Sequence, residues 1–149
     1  MYKSGKWQKL KTLTGTSYTV KDLKSATSYS FSIKAYNNKL KTYSNFSDNV
    51  TAMTKVEQVK NLKSSTIKTT SIKLKWSDID KAVGYVVYYS TDNKTFKKYS
   101  STANNSITVK NLKAGKTYYF KVRAYVRDDD DLAVYGAYSS VLKVKTSKK

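Results

Sequence analysis

The chain has no cysteine, no histidine and no proline, and only five glycines among 149 residues. Without cysteine there is no disulfide and no thiolate chemistry. Without histidine as well, imidazole acid–base catalysis and nearly all zinc sites are excluded. The missing cysteine assigns no compartment by itself. The missing proline leaves turn geometry to Asn, Asp, Ser and Gly. No stretch approaches the roughly 18 consecutive apolar residues of a membrane span. Apolar residues at helical spacing are not sustained over any long segment, so helix signals are weak. Residues 1–10 are polar and lack the apolar run of a secretory signal, which leads to the expectation of a cytosolic chain or a piece of something longer.

Acidic residues are also scarce, ten against 29 basic ones, for a formal net charge of +19. Such a charge attracts polyanions: nucleic acid, anionic lipid or acidic cell-wall polymers. The basic residues lie all along the chain, as on an ordinary lysine-rich solvated surface. Lysine far outnumbers arginine. That weighs against nucleic acid, because bidentate recognition of phosphates and bases favours arginine.

What the chain does have is an internal repeat. Tyr18, Thr19, Val20, Lys21, Asp22, Leu23 and then Tyr29, Ser30, Phe31, Ser32, Ile33, Lys34, Ala35, Tyr36 recur 89 positions later. The second occurrence is Ile107, Thr108, Val109, Lys110, Asn111, Leu112 and then Tyr118, Tyr119, Phe120, Lys121, Val122, Arg123, Ala124, Tyr125. A spacing near 90 residues is too long for a solenoid unit and suits a small β-sandwich domain. Beyond Tyr36 the copies realign with a shift of three. Tyr43, Phe46, Ser47, Val50 and Thr54 then match Tyr135, Tyr138, Ser139, Leu142 and Thr146. The extra residues fall in the loop that holds Asp128, Asp129, Asp130 and Asp131.

Residues 56–149 read as seven short strands. Val59 and Leu62 are expected in a first, edge-like strand. Ile72, Leu74 and Trp76 alternate with Lys73 and Lys75, the period-2 pattern of a half-buried strand. Residues 77–82 read as a loop. Gly84 opens a strand with Tyr85, Val87 and Tyr89 on one face, and a turn follows at residues 91–94. Phe96 and Tyr99 belong to the next strand, Ile107 and Val109 to another. Leu112 stands six residues before Tyr118, as Leu23 does before Tyr29, the spacing of a tyrosine corner. Tyr118, Phe120, Val122 and Ala124 then face inward, and Leu142 and Val144 complete the last strand. Trp76, Tyr85 and Tyr118 are expected in the core.

Trp7 aligns with Phe96, so the first copy has no counterpart of residues 56 to about 88. Residues 1–54 are therefore expected to be the C-terminal half of a sandwich, strands C′ to G. Such a half leaves one inner face and its strand edges uncovered. Alone it is expected to be unfolded, or to pair with a partner chain by strand exchange.

The run Ser71 to Trp76, the strand Gly84, Tyr85, Val86, Val87, Tyr88 and the pattern Leu112, Tyr118, Phe120, Val122, Ala124 together resemble a fibronectin type III domain. The ending Tyr135, Gly136, Ala137, Tyr138, Ser139 resembles the family's last turn and strand. The lysine- and tyrosine-rich style is similar to modules appended to secreted or surface proteins of Gram-positive bacteria. A departure is Val56–Glu57, where the family usually carries a proline. The resemblance implies an all-β, immunoglobulin-like, seven-stranded antiparallel sandwich at 56–149, and the C-terminal half of another at 1–54. One sheet would hold strands A, B and E, the other C, C′, F and G, with Trp76 packed near Tyr85, Leu112 and Phe120. It implies a spacer or binding platform at the cell surface or outside the cell, with no cofactor and no catalysis. Neighbouring domains of a longer chain are the implied partners, and polysaccharide is an alternative one. No Arg-Gly-Asp tripeptide occurs.

Two groups of residues could bind something. Residues 128–131 supply four carboxylates. Consecutive side chains of an extended segment diverge, however, so they suit a solvated loop better than a calcium site. The second is a face. If the strands of Tyr88 and Arg123 are neighbours, Val86, Tyr88, Tyr119, Lys121, Arg123 and Tyr125 form one outward patch. Its rings could stack on sugars or bases. Cross-strand pairing of aromatic and basic side chains explains the same pattern without a ligand. Asp78 and Asp80 form a nominal carboxylate pair in a loop, and the Asn-x-Ser/Thr triplets at Asn45, Asn49, Asn93 and Asn104 are accidents of composition.

Overall fold

The computed structural model describes residues 1–3 and 5–148. It divides into two compact units, residues 1–55 and residues 56–149. The first holds β1 (Tyr2–Lys3), β2 (Lys6–Trp7), β3 (Ser28–Phe31), β4 (Tyr36–Asn37), β5 (Thr42–Tyr43) and β6 (Val50–Met53). The second holds β7 (Lys63–Ile67), β8 (Ile72–Lys75), β9 (Gly84–Ser90), β10 (Lys97–Thr102), β11 (Ser106–Val109), β12 (Thr117–Arg127), β13 (Ala133–Tyr135) and β14 (Leu142–Lys145).

In the second unit, one sheet runs β11-β8-β7 and the other β10-β9-β12, with β13 and β14 both pairing along β12. Counting β13 and β14 as one interrupted strand, this is a seven-stranded antiparallel sandwich. Alternation builds it. In β8, Ile72 and Leu74 are buried while Lys73 and Lys75 are exposed. In β12, every second residue from Tyr118 to Val126 is buried. Ile72, Leu74, Val87, Val109, Phe120 and Val122 are sealed from solvent between the sheets. The Trp76 and Tyr85 rings meet edge-on at 5.3 Å. The first strand departs from the sequence expectation. Val59 is buried and Leu62 half-buried, but both precede β7, which starts at Lys63. Residues 56–58 instead lie beside residues 136–138, between β13 and β14, where Gln58 Nε2 donates to the Tyr138 carbonyl (2.7 Å), and the Lys60 carbonyl accepts from the Ser77 amide after β8.

Loop chemistry follows the missing proline. Asp22, Asn61, Asn93, Asn111 and Asp131 adopt positive φ, as short polar side chains do most readily. Lys41, Lys81 and Ala26 adopt it as well. At the turn after β9, Asp92 Oδ1 accepts from Ser90 Oγ and from the Lys94 and Thr95 amides. Those bonds, Ser90 first, hold its carboxyl well below the usual carboxylate range.

The first unit repeats several hydrogen bonds of the second. Tyr29 Oη accepts from the Lys24 amide (3.1 Å), and Tyr118 Oη accepts from the Lys113 amide (2.9 Å). Thr54 Oγ1 donates to Lys24 O and accepts from the Thr27 amide, while Thr146 Oγ1 does the same with Lys113 O and Lys116. Ser47 Oγ accepts from Ile33 N, and Ser139 Oγ from Val122 N. The registers agree too. Phe31 pairs with Val50 as Phe120 pairs with Leu142, and Tyr36 pairs with Tyr43 as Tyr125 pairs with Tyr135. The three-residue shift falls in the loop after β12, where the copies differ in length.

Candidate functional site: an aromatic and basic sheet face

The outer face of the larger sheet is set by the parity of β12. Buried residues take the even positions, so Tyr119, Lys121, Arg123 and Tyr125 point away from the core. The register places Lys121 opposite Tyr88 and Arg123 opposite Val86. Tyr88, Lys121 and Arg123 are thereby brought together, but through rings that lie on other strands and loops. Lys121 Nζ stands 4.3 Å from the centroid of Phe96 and 3.9 Å from that of Tyr138. The Arg123 guanidinium stands 4.0 Å from Tyr135, 5.0 Å from Tyr138 and 5.5 Å from Tyr88. Its Nη2 donates to Tyr88 Oη (2.9 Å). Tyr88 and Tyr138 meet edge-on at 5.3 Å. The result is a continuous stack in which each cation lies against two or more rings.

The electrostatics follow from that stack. Each partly desolvated cation–ring contact is worth ~1–2 kcal/mol. Arg123 Nε is buried without a hydrogen-bond partner, which the facing ring electrons compensate in part. Burial raises the Tyr138 phenol above its ordinary range, the hydrogen bond with Tyr88 adds to this, and the Arg123 charge opposes it.

Tyr119 and Tyr125 occupy the two ends. Lys143 Nζ lies 5.9 Å over Tyr119, and the Tyr125 ring meets Tyr135 at 5.8 Å. Val86 shares their parity but is only 3% exposed, so it offers no surface, contrary to the sequence expectation. Phe96, Tyr135 and Tyr138 were not foreseen as members. The available signal was the repeat itself, since Tyr135 and Tyr138 match aromatic Tyr43 and Phe46. There Lys34 Nζ stands 4.0 Å from Tyr43 and 5.0 Å from Phe46, the same two distances as Arg123 from its pair.

The carboxylates have local work. Asp128 Oδ1 accepts from the amides of Asp130 and Leu132, closing its own loop. Arg127 Nη1 donates to the Asp131 carbonyl (2.6 Å) and lies 3.8 Å from its carboxylate. Among the described residues no cluster of three or more acidic side chains could hold a metal ion. Asp78 Oδ1 accepts from Tyr85 Oη, whose oxygen also accepts from the Ile79 amide (2.9 Å). Burial, with the Asp78 bond second, pushes the Tyr85 phenol up to about 12.

A family model described as fibronectin type III domain matches residues 57–131. Over 139 residues the chain is 32% identical to ephrin type-B receptor 2 of Coturnix japonica, covering 85% of this chain and 14% of that protein. The Gallus gallus receptor is 32% identical over the same length and 13% covered. The chain thus spans about a seventh of these curated relatives. Among solved structures, domains d3-d4 of the rat CD45 extracellular region superpose with a TM-score of 0.58 at 20% identity, covering 98% of this chain and 79% of that one. The chicken CNTN1 FN1-FN3 domains give 0.54 at 20% identity, covering 85% and 44%. A fibronectin type III domain of human fibronectin type III domain containing protein 3 gives 0.53 at 21% identity, covering 66% and 92%. Domains of this kind are generally non-catalytic modules of larger proteins. On its sheet order, its paired tyrosine corners and this match, the chain belongs to the fibronectin type III domain family.

Proposed function

We propose that this chain is a non-catalytic spacer and interaction module of a larger secreted or cell-surface protein, of the bacterial style that its composition resembles. In this reading residues 56–149 are a complete domain and residues 1–54 the C-terminal half of another. One observation carries the spacer role: the second unit is entered and left at opposite ends. Near its start, the Glu57 carbonyl packs so close to Gly136 that a Cβ there would lie 2.7 Å away. Gly136 in turn donates to the Ala124 carbonyl, far along β12. Near its end, the Ser147 carbonyl accepts from Gly115, just before β12. The nine residues between those two levels of β12 span roughly 30 Å. Spin labels at residues 57 and 147 are expected to give one narrow distance distribution near that length. A broad distribution would remove the spacer role.

A second reading, a glycan-contact face at Tyr88, Tyr119, Lys121, Arg123 and Tyr125, is favoured by the half-exposed Tyr135 ring, which the Arg123 guanidinium faces at 4.0 Å. Retention on insoluble cell-wall polysaccharide decides between them. Retention that persists at high salt and is lost in Tyr88→Ala with Tyr125→Ala supports the glycan face. Retention lost in high salt reduces to net charge. No retention at either salt supports the spacer alone.

A further inference from the structure

Where β7 begins and β8 ends, the two strands part. The register holds at Lys63↔Lys75. Beyond it Asn61 turns through φ 56°, and the Ser77 amide donates to the Lys60 carbonyl (3.0 Å). The parted ends and the residue before β11 line an open cleft of about 620 Å³. Leu62 and Trp76 supply its apolar lining, and Asn61, Lys63, Lys75, Ser77 and Asn105 the polar part. The Asn105 carbonyl accepts from the Trp76 amide (3.1 Å), which fixes that side of the cleft.

The charge of this cleft has one sign. Lys63 and Lys75 are exposed and stand directly opposite each other, their Cα atoms about 4.5–5.5 Å apart. Like charges so placed repel. Among the described residues the one salt bridge is Arg127–Asp131, so neither lysine is neutralised. The carboxylate nearest along the chain, Asp78, is engaged by the Tyr85 hydroxyl. Ser77 Oγ accepts from Asn61 Nδ2 (2.9 Å), which leaves the serine proton to be donated. Trp76 is 4% exposed, and its Nε1 is buried without a hydrogen-bond partner. Donors are thus in excess around one cleft that holds two cations.

We infer that the cleft binds a dianionic phosphate group, free or as a small monoester. Its three acceptor oxygens can take protons from both ammonium groups, from Ser77 Oγ and from the Asn105 carboxamide, and its charge neutralises both lysines. A carboxylate or a phosphodiester carries one charge and leaves one lysine uncompensated. Lysine serves here as a point charge, which needs no bidentate geometry. The cleft falls within the roughly 300–1,000 Å³ of small-molecule sites. Room therefore remains beside the phosphate, where Leu62 and Trp76 meet carbon and Asn61 Oδ1 can accept from a hydroxyl.

The test is an NMR titration of the isotopically labelled full chain with inorganic phosphate, glycerol 1-phosphate and sulfate, at constant ionic strength. Saturable shifts are expected at residues 61–63, 75–77 and 105. Lys63→Gln and Lys75→Gln are each expected to weaken binding at least about tenfold. Lys94→Gln, at the turn after β9, removes the same charge and is expected to weaken it less than about twofold. Unmoved β12 amides in each variant show that the fold is kept. The chain has no histidine, so acidification to about pH 5.5 titrates the ligand, whose second pKa is about 6. Phosphate binding is expected to weaken at least about threefold from pH 7.5 to pH 5.5, while sulfate, a dianion throughout, does not change. Tighter binding of glycerol 1-phosphate assigns a monoester as the source of the group, equal binding assigns free phosphate, and both support the site. Shifts that do not saturate overturn the inference. So do equal losses in Lys75→Gln and Lys94→Gln, which leave only net charge, and a phosphate affinity that ignores pH.

Discussion

Ile33 and Val122 hold equivalent places in the two copies, each with its amide bonded to a serine hydroxyl at 3.0–3.1 Å. Yet Val122 is sealed and Ile33 is three-quarters exposed. On the other side of the same strands one contact is kept: Lys34 and Arg123 sit at matching distances over their ring pairs. The corner tyrosines, the threonine clasps and the strand registers also agree. Interactions made within about 30 residues of sequence are thus reproduced by the local sequence alone. Burial is not, because in the second unit it comes from β7, β8, β9 and β11, which have no full counterparts among the described residues of the first. The hydrophobic contribution, which scales with area removed from water, is concentrated in residues 56–149.

The widest gap between the copies is expected at the inner phenylalanines. Phe120→Ala removes a sealed ring and is expected to cost about 3–5 kcal/mol. Phe31→Ala is expected to cost under about 1 kcal/mol. Urea unfolding followed by Trp76 fluorescence in a Trp7→Phe background measures the first, and amide exchange at residues 28–31 the second. Equal costs would break the comparison.

Next comes the crossing at the last turn. Gly136→Ser puts a Cβ 2.7 Å from the Glu57 carbonyl and is expected to cost about 1–3 kcal/mol in the same urea assay. The reverse change, Ser44→Gly, meets no crossing segment and is expected to cost under about 1 kcal/mol. A smaller difference is written in the backbone. Gly115 has φ +64°, and its counterpart Ala26 has φ +46°. Gly115→Ala is expected to lose about 1 kcal/mol, and Ala26→Gly to gain up to about 1 kcal/mol for the first unit. Both are readable from exchange protection of the neighbouring corner amides.

The last contrast needs only pH. Tyr85 lies on β9, which has no full counterpart in the first unit, and its folded phenol titrates near 12 against an ordinary 10.0. The neutral form is favoured by folding. The stability it contributes is therefore complete below pH 10 and lost as pH rises toward 12. Alkaline unfolding of the second unit in that window, absent in Tyr85→Phe, is the expected result. An unchanged alkaline limb in Tyr85→Phe would assign the effect to other tyrosines.

How far the sequence could be read depended on range. The 89-residue repeat, its three-residue shift and the two tyrosine corners were legible because each is a pattern of side-chain type along one strand or across one turn. Tyr88, Lys121 and Arg123 could be placed on one face from period-2 alternation plus the family's strand order. Phe96 could not, and for Tyr135 and Tyr138 the repeat marks an aromatic pair without saying which cation it meets. They reach the stack from the edge strand and the last turn, and no spacing along the chain states which rings will close over a given lysine or arginine. Val86 failed for the same reason: its parity was right, but its burial is decided by what lies across the sheet.

By itself, then, the sequence determined the strand alternation, the corners, the polar turns that replace proline and the shared design of the two copies. These are short-range preferences of backbone and side chain. Tertiary structure alone decided that Lys121 and Arg123 are held between rings, that Glu57 crosses at Gly136, and that the same inner pattern is sealed at Val122 and open at Ile33. Each of those depends on which distant strand arrives, and burial is a property of the neighbours a side chain meets.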